Sequence, residues 1–123
     1  MKVRILGSGG SFGSPLAWQQ NGKIDINNQR NFRTRSSVLV NINGVNILID
    51  TSPDLRQQLY DAKCTAITSV VFTHGHSDHT SGLPDMRAIS VISDKIIPAF
   101  APIEMKKDIL SHYKFIFQGD KDY

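Results

Sequence analysis

The chain begins with alternating polar and apolar residues, and its pattern then changes several times. The alternation in residues 2–7 predicts a strand that ends at a glycine-rich turn. Residues 36–50 contain two β-rich runs around Asn43-Gly44, a dipeptide typical of hairpin turns. Residues 66–73 are almost continuously apolar, which favours a buried strand. The pattern therefore predicts a hairpin and two further strands.

Helical spacing appears between and after these strands. In residues 51–62, Leu55 and Leu59 recur on one helical face, and Ser52 and Pro53 suit the start of a helix. Strands that alternate with helices predict an α/β layered architecture, in which ligand sites gather beyond the carboxyl ends of strands. The two further predicted helices cover residues 83–94 and 102–114.

Three other stretches complete the pattern. Residues 8–35 are rich in Gly, Asn, Gln and Ser without a regular period, so they form either a functional loop or a disordered segment. Residues 95–101 predict a short strand, which Pro98 places near the edge of a sheet. Residues 115–117 could begin one more strand. The least regular part of the predicted domain therefore lies near its N-terminus.

The composition of the chain indicates what class of protein it is but does not identify a reaction. With 123 residues, of which 40% are hydrophobic and 20% charged, the chain is predicted to be one globular domain, residues 1–123. The formal charge of +3 suits an anionic substrate but is too weak to argue for nucleic acid. Cys64 is the single cysteine, and no apolar run is long enough to span a membrane. We therefore expect a cytoplasmic protein that does not enter membranes.

Three of the chain's four histidines lie within the stretch THGHSDH, directly after the continuously apolar strand. Imidazole and carboxylate groups are ordinary ligands of zinc and manganese. In an extended loop, His74 and His76 project to the same side and can reach one ion, while Asp78 and His79 can turn toward a second. Two such ions would clamp a hydroxide, which Asp78 could orient. Asp50 lies at the end of another predicted strand, so we expect it near the same sheet edge as the histidines.

Other candidates have ordinary structural explanations beside the functional ones. A surface loop could carry scattered histidines, but four potential ligands within six positions argue against this explanation. A structural zinc could also use histidines, but the chain has no CxxC motif to complete such a site. His112 falls in a predicted helix among lysines and is expected to be solvated. The turn GSGGSFG is expected to border the site, and Phe12 and Trp18 could line a groove or pin the loop. Five arginines could attract a phosphate or be paired elsewhere: Arg30, Arg33, Arg35, Arg56 and Arg87.

THGHSDH is similar to the HxHxDH signature of the metallo-β-lactamase superfamily of metal-dependent hydrolases. The resemblance implies that His74 and His76 serve one divalent ion, zinc or manganese, and that Asp78 and His79 serve a second. It also implies that Asp50 supports the motif loop from behind the ligands. A metal-bound hydroxide would attack a small phosphodiester, with Asp78 as the catalytic group. Five further stretches resemble the PhnP-like phosphodiesterase branch: ILGSGGSFGSP, NFRTRSSVLV, ILIDTSPDLRQQL, HTSGLPDMRAI and KIIPAFA.

The same resemblance implies a fold larger than this chain can build. The superfamily fold is a four-layered αββα sandwich of two similar halves, and this chain has material for one half, a mixed sheet with helices on one face. In the superfamily, a further His, a bridging Asp and a final His complete the dinuclear site later in the chain. We therefore expect an N-terminal half that lacks its C-terminal half, or that pairs as a homodimer.

Two alternative functions remain open. An N-terminal fragment would be inactive or dependent on a partner, and would only bind metal or oligomerise. A nuclease of the tRNase Z kind shares the HxHxDH motif, although TSPDLR and DMRAIS fit the phosphodiesterase branch better. A strong salt dependence of RNA binding would distinguish the nuclease from an enzyme that acts on a small substrate.

Overall fold

A five-stranded mixed sheet forms the centre of the fold in the computed structural model, which describes residues 1–16 and 24–117. The strands are β1 (Lys2–Gly7), β2 (Ser37–Ile42), β3 (Val45–Ile49), β4 (Ser69–Val71) and β5 (Ala99–Phe100). They lie side by side in sequence order. β1, β2 and β3 pair antiparallel, whereas β4 pairs with β3 and β5 with β4 in parallel. The short β5 lies at an edge, as Pro98 predicted.

The β2–β3 hairpin forms where the sequence predicted it. Ile42 pairs directly with Val45, which leaves Asn43 and Gly44 as the two turn residues. Both turn residues have positive φ angles, 51° and 88°. This combination is the two-residue turn whose twist matches that of the flanking strands, and Asn-Gly adopts it at low cost.

Five α-helices connect or follow the strands within the described residues. Ser52 contributes to the start of the first helix, because its hydroxyl accepts a hydrogen bond from the Asp54 N–H (3.1 Å). None of the helices within residues 1–16 and 24–117 is long and apolar enough to cross a membrane. The helices are α1 (Leu55–Ala62), α2 (Ser77–Thr80), α3 (Leu83–Ser93), α4 (Ile103–His112) and α5 (Lys114–Phe117).

The strand predicted at residues 115–117 is wrong, because these residues form the short helix α5. The Ile116 N–H donates to the carbonyl of Tyr113 (2.9 Å), which continues the chain in a helical turn after α4. Ile116 and Tyr113 both pack against the core from this position. The strand preference of Phe and Ile is therefore overridden by a local turn that partly buries Ile116 against the core.

The described ends of residues 8–35 are held by backbone pairing. Ser14 and Arg33 exchange two hydrogen bonds, 3.0 and 2.8 Å long, and the Gly9 N–H donates to the Thr34 carbonyl (2.7 Å). A short 3-10 helix, Gln29–Asn31, lies between these anchors. Trp18 lies outside the described residues. The two described ends of the predicted loop are therefore tied to each other.

The core lies on one face of the sheet. Leu39 is paired with Leu48 and Leu48 with Val70, so these three side chains point to the same side, and all are buried. Helix residues pack onto this row from α1, α3 and α4, namely Leu55, Leu59, Leu83, Met86, Met105 and Ile109. The predicted α/β half-sandwich, a mixed sheet with helices on one face, is thereby confirmed.

The opposite face of the sheet is apolar and exposed. Val3 is paired with Val40 and Val40 with Ile47, which places them on the face away from the helices. Val3 and Ile5 are 59% and 67% exposed in the described structure. A contiguous apolar surface of this kind is typical of a region that contacts another layer of protein.

Candidate metal centre

Two strand ends bring the predicted site residues together. β3 and β4 are parallel neighbours, so Asp50, which follows β3, lies beside the segment that follows β4. The Asp50 N–H donates to the Val71 carbonyl (2.9 Å) and fixes this alignment. The motif loop, residues 73–80, therefore begins at the same sheet edge as Asp50.

The motif loop changes from extended backbone to helix between its second and third candidate ligands. His76 has an extended backbone and precedes α2, so Asp78 and His79 lie on a single helical turn. The His74 Nε2 and His76 Nδ1 atoms are 3.2 Å apart. The His79 Nε2 and Asp78 Oδ2 atoms are 3.4 Å apart. The centres of the His74 and His79 rings are separated by 4.0 Å, so the two pairs form one cluster.

The 3.2 Å distance between His74 and His76 and the 3.4 Å distance between Asp78 and His79 match the separation of two atoms that bind the same ion. Bonds of about 2.0–2.2 Å at tetrahedral angles place two donor atoms roughly 3.2–3.6 Å apart. Neutral imidazole and carboxylate donors also suit zinc and manganese. Within residues 1–16 and 24–117, however, no group of three His, Cys, Asp or Glu side chains is placed to hold one ion. The atoms of each pair are therefore spaced as two ligands of one ion would be, and the described chain offers two donors in each pair.

Asp50 connects the motif loop to the sheet through three hydrogen bonds. The residue is 5% exposed, and its carboxylate accepts from the Thr73 N–H (2.8 Å), the Thr73 hydroxyl (2.7 Å) and the Nδ1–H of His79 (2.8 Å). Its backbone is left-handed, with a φ of 59°, a conformation that aspartate tolerates better than most residues. Since the Nδ1–H of His79 binds a carboxylate, the Nε2 atom of that ring presents its lone pair toward Asp78.

Asp78 is buried yet favours its ionised form. Burial by itself raises the pKa of its carboxyl group. The Ser11 hydroxyl and the backbone N–H of Asp78 donate hydrogen bonds to the carboxylate, and His79 and His76 lie nearby. Together these groups outweigh burial and lower the pKa below its usual value. Asp78 is therefore anionic at neutral pH, as a cation ligand must be.

Ser11 and Thr73 are site residues that the sequence analysis did not single out. The glycine-rich turn was expected to border the site, and Ser11 does contact Asp78 from that turn. Thr73 precedes the first histidine of the motif and contacts both Asp50 and His74. Serine and threonine hydroxyls carry no metal-binding signature, so only their positions next to the turn and the motif could have indicated them.

Two of the weaker candidates have structural roles. The guanidinium of Arg35 binds both carboxylate oxygens of Asp54, so it is paired within the fold. His112 is exposed at the end of α4, and its Nδ1–H donates to the Asp108 carbonyl (2.8 Å). His112 lines a cavity of about 240 Å³ together with Gly75, and the lining of this cavity includes none of the candidate ligands. It is therefore separate from the candidate ligands.

Gly82 allows the motif segment to approach the start of α1 closely. The Gly82 N–H donates to the Thr51 carbonyl (2.9 Å), and the Thr51 N–H donates to the His79 carbonyl (2.8 Å). A Cβ atom added to Gly82 would lie 2.3 Å from the Ser52 carbonyl oxygen and 2.9 Å from the Leu55 Cβ. These neighbours belong to the backbone or lie next to it, so they cannot rotate away.

Replacing Gly82 with alanine is therefore expected to lower the free energy of unfolding by about 1–3 kcal/mol, as overpacking does in other proteins. Urea denaturation followed by circular dichroism measures the loss. Gly10→Ala is the matched control, because a Cβ added at Gly10 meets nothing within 4 Å. Equal losses in the two variants would contradict the close approach at Gly82.

Known proteins share both the sequence and the fold. A family model described as "Beta-lactamase superfamily domain" matches residues 45–122. Coenzyme PQQ synthesis protein B of Acinetobacter baumannii (strain SDF) is 37% identical over an alignment of 106 residues, which covers 71% of this chain and 33% of that protein. This chain therefore spans about a third of the length of that curated relative.

Solved structures extend the comparison. A new diphosphatase from the PhnP family has a TM-score of 0.82 and 32% identity, covering 96% of this chain and 48% of that one. Zn²⁺-bound PqqB from Methylobacterium extorquens has a TM-score of 0.71 and 25% identity, covering 94% and 42%. The short form of human tRNase Z has a TM-score of 0.67 and 26% identity, covering 94% and 40%. On this fold, motif and family match, the chain belongs to the metallo-β-lactamase superfamily, in its PhnP-like branch.

Proposed function

We propose that this chain supplies the metal-binding loop of a metal-dependent hydrolase that cleaves phosphodiesters. The observation that carries the proposal is the pair of donor distances, 3.2 Å for His74 and His76 and 3.4 Å for Asp78 and His79. His74 and His76 would hold one divalent ion, and Asp78 and His79 a second. A divalent ion, zinc or manganese, would polarise a phosphoryl oxygen and make water acidic enough to attack at neutral pH.

The chain's own residues have distinct roles in this proposal. Asp78 is anionic and can accept a hydrogen bond from the attacking water, which orients it toward phosphorus. Asp50 holds the His79 ring through its Nδ1 atom, so that Nε2 faces outward. Ser11 brings the glycine-rich turn against Asp78 and thereby forms one side of the site.

The likeness to a PhnP-family diphosphatase supports the choice of phosphodiesters as the proposed substrate class. The PhnP-family diphosphatase is similar over 96% of this chain, and a diphosphatase also acts on phosphoryl groups. The charge of +3 suits a small anionic substrate. Because the chain spans only 48% of that structure, the activity of the whole relative is carried over as a proposal. We further propose a cytoplasmic location, since a single cysteine suits a reducing compartment.

A chimera tests this function directly. In it, the present chain replaces the matching part of the PhnP-family diphosphatase. We expect Mn²⁺- or Zn²⁺-dependent hydrolysis of bis-p-nitrophenyl phosphate that Asp78→Ala abolishes and that Asp61→Ala, an exposed aspartate on α1, leaves unchanged. A folded, metal-loaded chimera without this hydrolysis would overturn the proposal. Adding a diphosphate ester and a precursor tRNA to the assay identifies the preferred substrate.

Two other candidates rest on specific observations. The exposed apolar face around Val3 and Ile5 favours a chain that acts only with a partner or as a homodimer. The likeness to human tRNase Z favours a nuclease, although the modest positive charge makes nucleic acid the weaker choice. The activity of the isolated chain separates the first candidate from a self-sufficient enzyme, and hydrolysis of precursor tRNA by the chimera identifies the second.

A further inference from the structure

The hydroxyl of Thr73 lies between Asp50 and the first histidine of the motif. Its Oγ1 atom is 2.7 Å from the Asp50 Oδ2 atom and 2.9 Å from the His74 Nδ1 atom. The Thr73 N–H also donates to the Asp50 Oδ1 atom (2.8 Å), so backbone and side chain are both held by one carboxylate. The position of this hydroxyl is therefore determined by the sheet edge and not by the histidine.

A hydroxyl has one proton to donate, and this restricts the state of the His74 ring. An ionised carboxylate only accepts hydrogen bonds, so the Thr73 proton is directed to Asp50. The Thr73 oxygen then presents a lone pair to the His74 Nδ1 atom. The 2.9 Å contact is a hydrogen bond only if His74 carries its proton on Nδ1. The Nε2 atom of the neutral ring is then left with its lone pair.

We propose that Thr73 is a positioning residue that selects the Nδ1–H tautomer of His74 and so directs its Nε2 lone pair toward His76. The inference rests on the proposed metal site, since it explains how that site's first donor is prepared. The Nε2 lone pair points to the side where the His76 Nδ1 atom lies 3.2 Å away.

The Asp50 carboxylate would therefore fix the proton on Nδ1 of one histidine in each ligand pair, His74 in one and His79 in the other. Asp50 acts on His79 directly, through the 2.8 Å contact with Nδ1, and on His74 through the Thr73 hydroxyl. Both histidines thus expose Nε2 for the same reason, although only one of them touches Asp50. A hydrogen-bonded partner behind a ligand histidine commonly changes metal affinity by about 10–100-fold.

Nuclear magnetic resonance of histidine-labelled, metal-free protein tests the tautomer without any metal. In the parent chain at a pH where the rings are neutral, we expect His74 to give the ¹⁵N and ¹³C shifts of the Nδ1–H form. In Thr73→Val, which keeps the branched shape but lacks the hydroxyl, His74 should lose that form. Thr73→Ser should restore it, and Zn²⁺ affinity should fall about tenfold in the valine variant alone.

The controls separate this proposal from the metal site itself. Thr68→Val removes a hydroxyl next to the other end of β4, where it accepts from the Asn46 N–H, and should leave the His74 signals unchanged. An Nδ1–H tautomer that persists in Thr73→Val, with native circular dichroism, would overturn the role of Thr73. If the tautomer changes as expected but the parent chain takes up no Zn²⁺, the positioning role of Thr73 is supported and the proposed metal function is contradicted.

Discussion

Replacing His76 with alanine is expected to reduce affinity for Zn²⁺ or Mn²⁺ by roughly 100-fold or more. Removing a residue that only hydrogen-bonds to a metal ligand already lowers metal affinity by about 10–100-fold, and His76 is proposed to be a ligand itself. His76 supplies one of only two donors that the described chain offers to its ion, 3.2 Å from the other. The fold should survive, since His76 is exposed and lies in a loop. Elemental analysis after dialysis and a thermal melt measure the two effects.

His112→Ala is the matched control for this experiment. It removes the same side chain from α4, where the ring binds the Asp108 carbonyl and lines a cavity that includes none of the other histidines. Its metal content should equal that of the parent chain. Equal metal content in the parent and in His76→Ala would show that the motif loop does not bind the ion.

Local chemistry explains which parts of the fold the sequence predicted well. The β2–β3 hairpin depends on two turn residues with positive φ, and Asn43 and Gly44 are residue types that adopt positive φ readily. The helix α1 depends on the spacing of Leu55 and Leu59, both of which are buried. Candidate ligands within a few residues of one another were likewise visible, because neighbours on one loop are held together by the chain itself.

Contacts between distant segments explain what the sequence analysis missed. Ser11 reaches Asp78 only because the fold brings the turn after β1 against α2. The role of Thr73 depends on Asp50, which is adjacent only through the parallel pairing of β3 and β4. The helix α5 differs from the predicted strand for a similar reason, since it packs the partly buried Ile116 against the core. None of these contacts has a period or a spacing that a single sequence displays.

The open face of the sheet bears on whether the isolated chain can be active. Val3, Ile5 and Phe100 are among the large apolar side chains exposed on the described structure. A second copy of the chain could cover this face. It would bring only the same four histidines, three of which are already committed to the motif and the fourth of which is His112. Covering the face and completing the ligand set are therefore separate requirements.

The isolated chain is expected to hydrolyse bis-p-nitrophenyl phosphate at least about 100-fold more slowly than the chimera with the PhnP-family diphosphatase, because displacements of about 1 Å in an active site can cost that much. A catalytic zinc usually has three protein ligands and a water. The described residues would supply each proposed ion with only two donors, which would leave its position poorly defined. Initial rates with saturating Mn²⁺ or Zn²⁺ measure the difference.

Asp78→Ala is the decisive comparison for this last prediction. In the isolated chain its rate should equal that of the parent, because a site with two donors per ion gives Asp78 little rate enhancement to lose. In the chimera the same substitution should abolish hydrolysis, because Asp78 is then both a ligand and the group that orients water. Robust metal-dependent turnover by the isolated chain, lost in Asp78→Ala, would contradict this prediction and show that two donors per ion suffice.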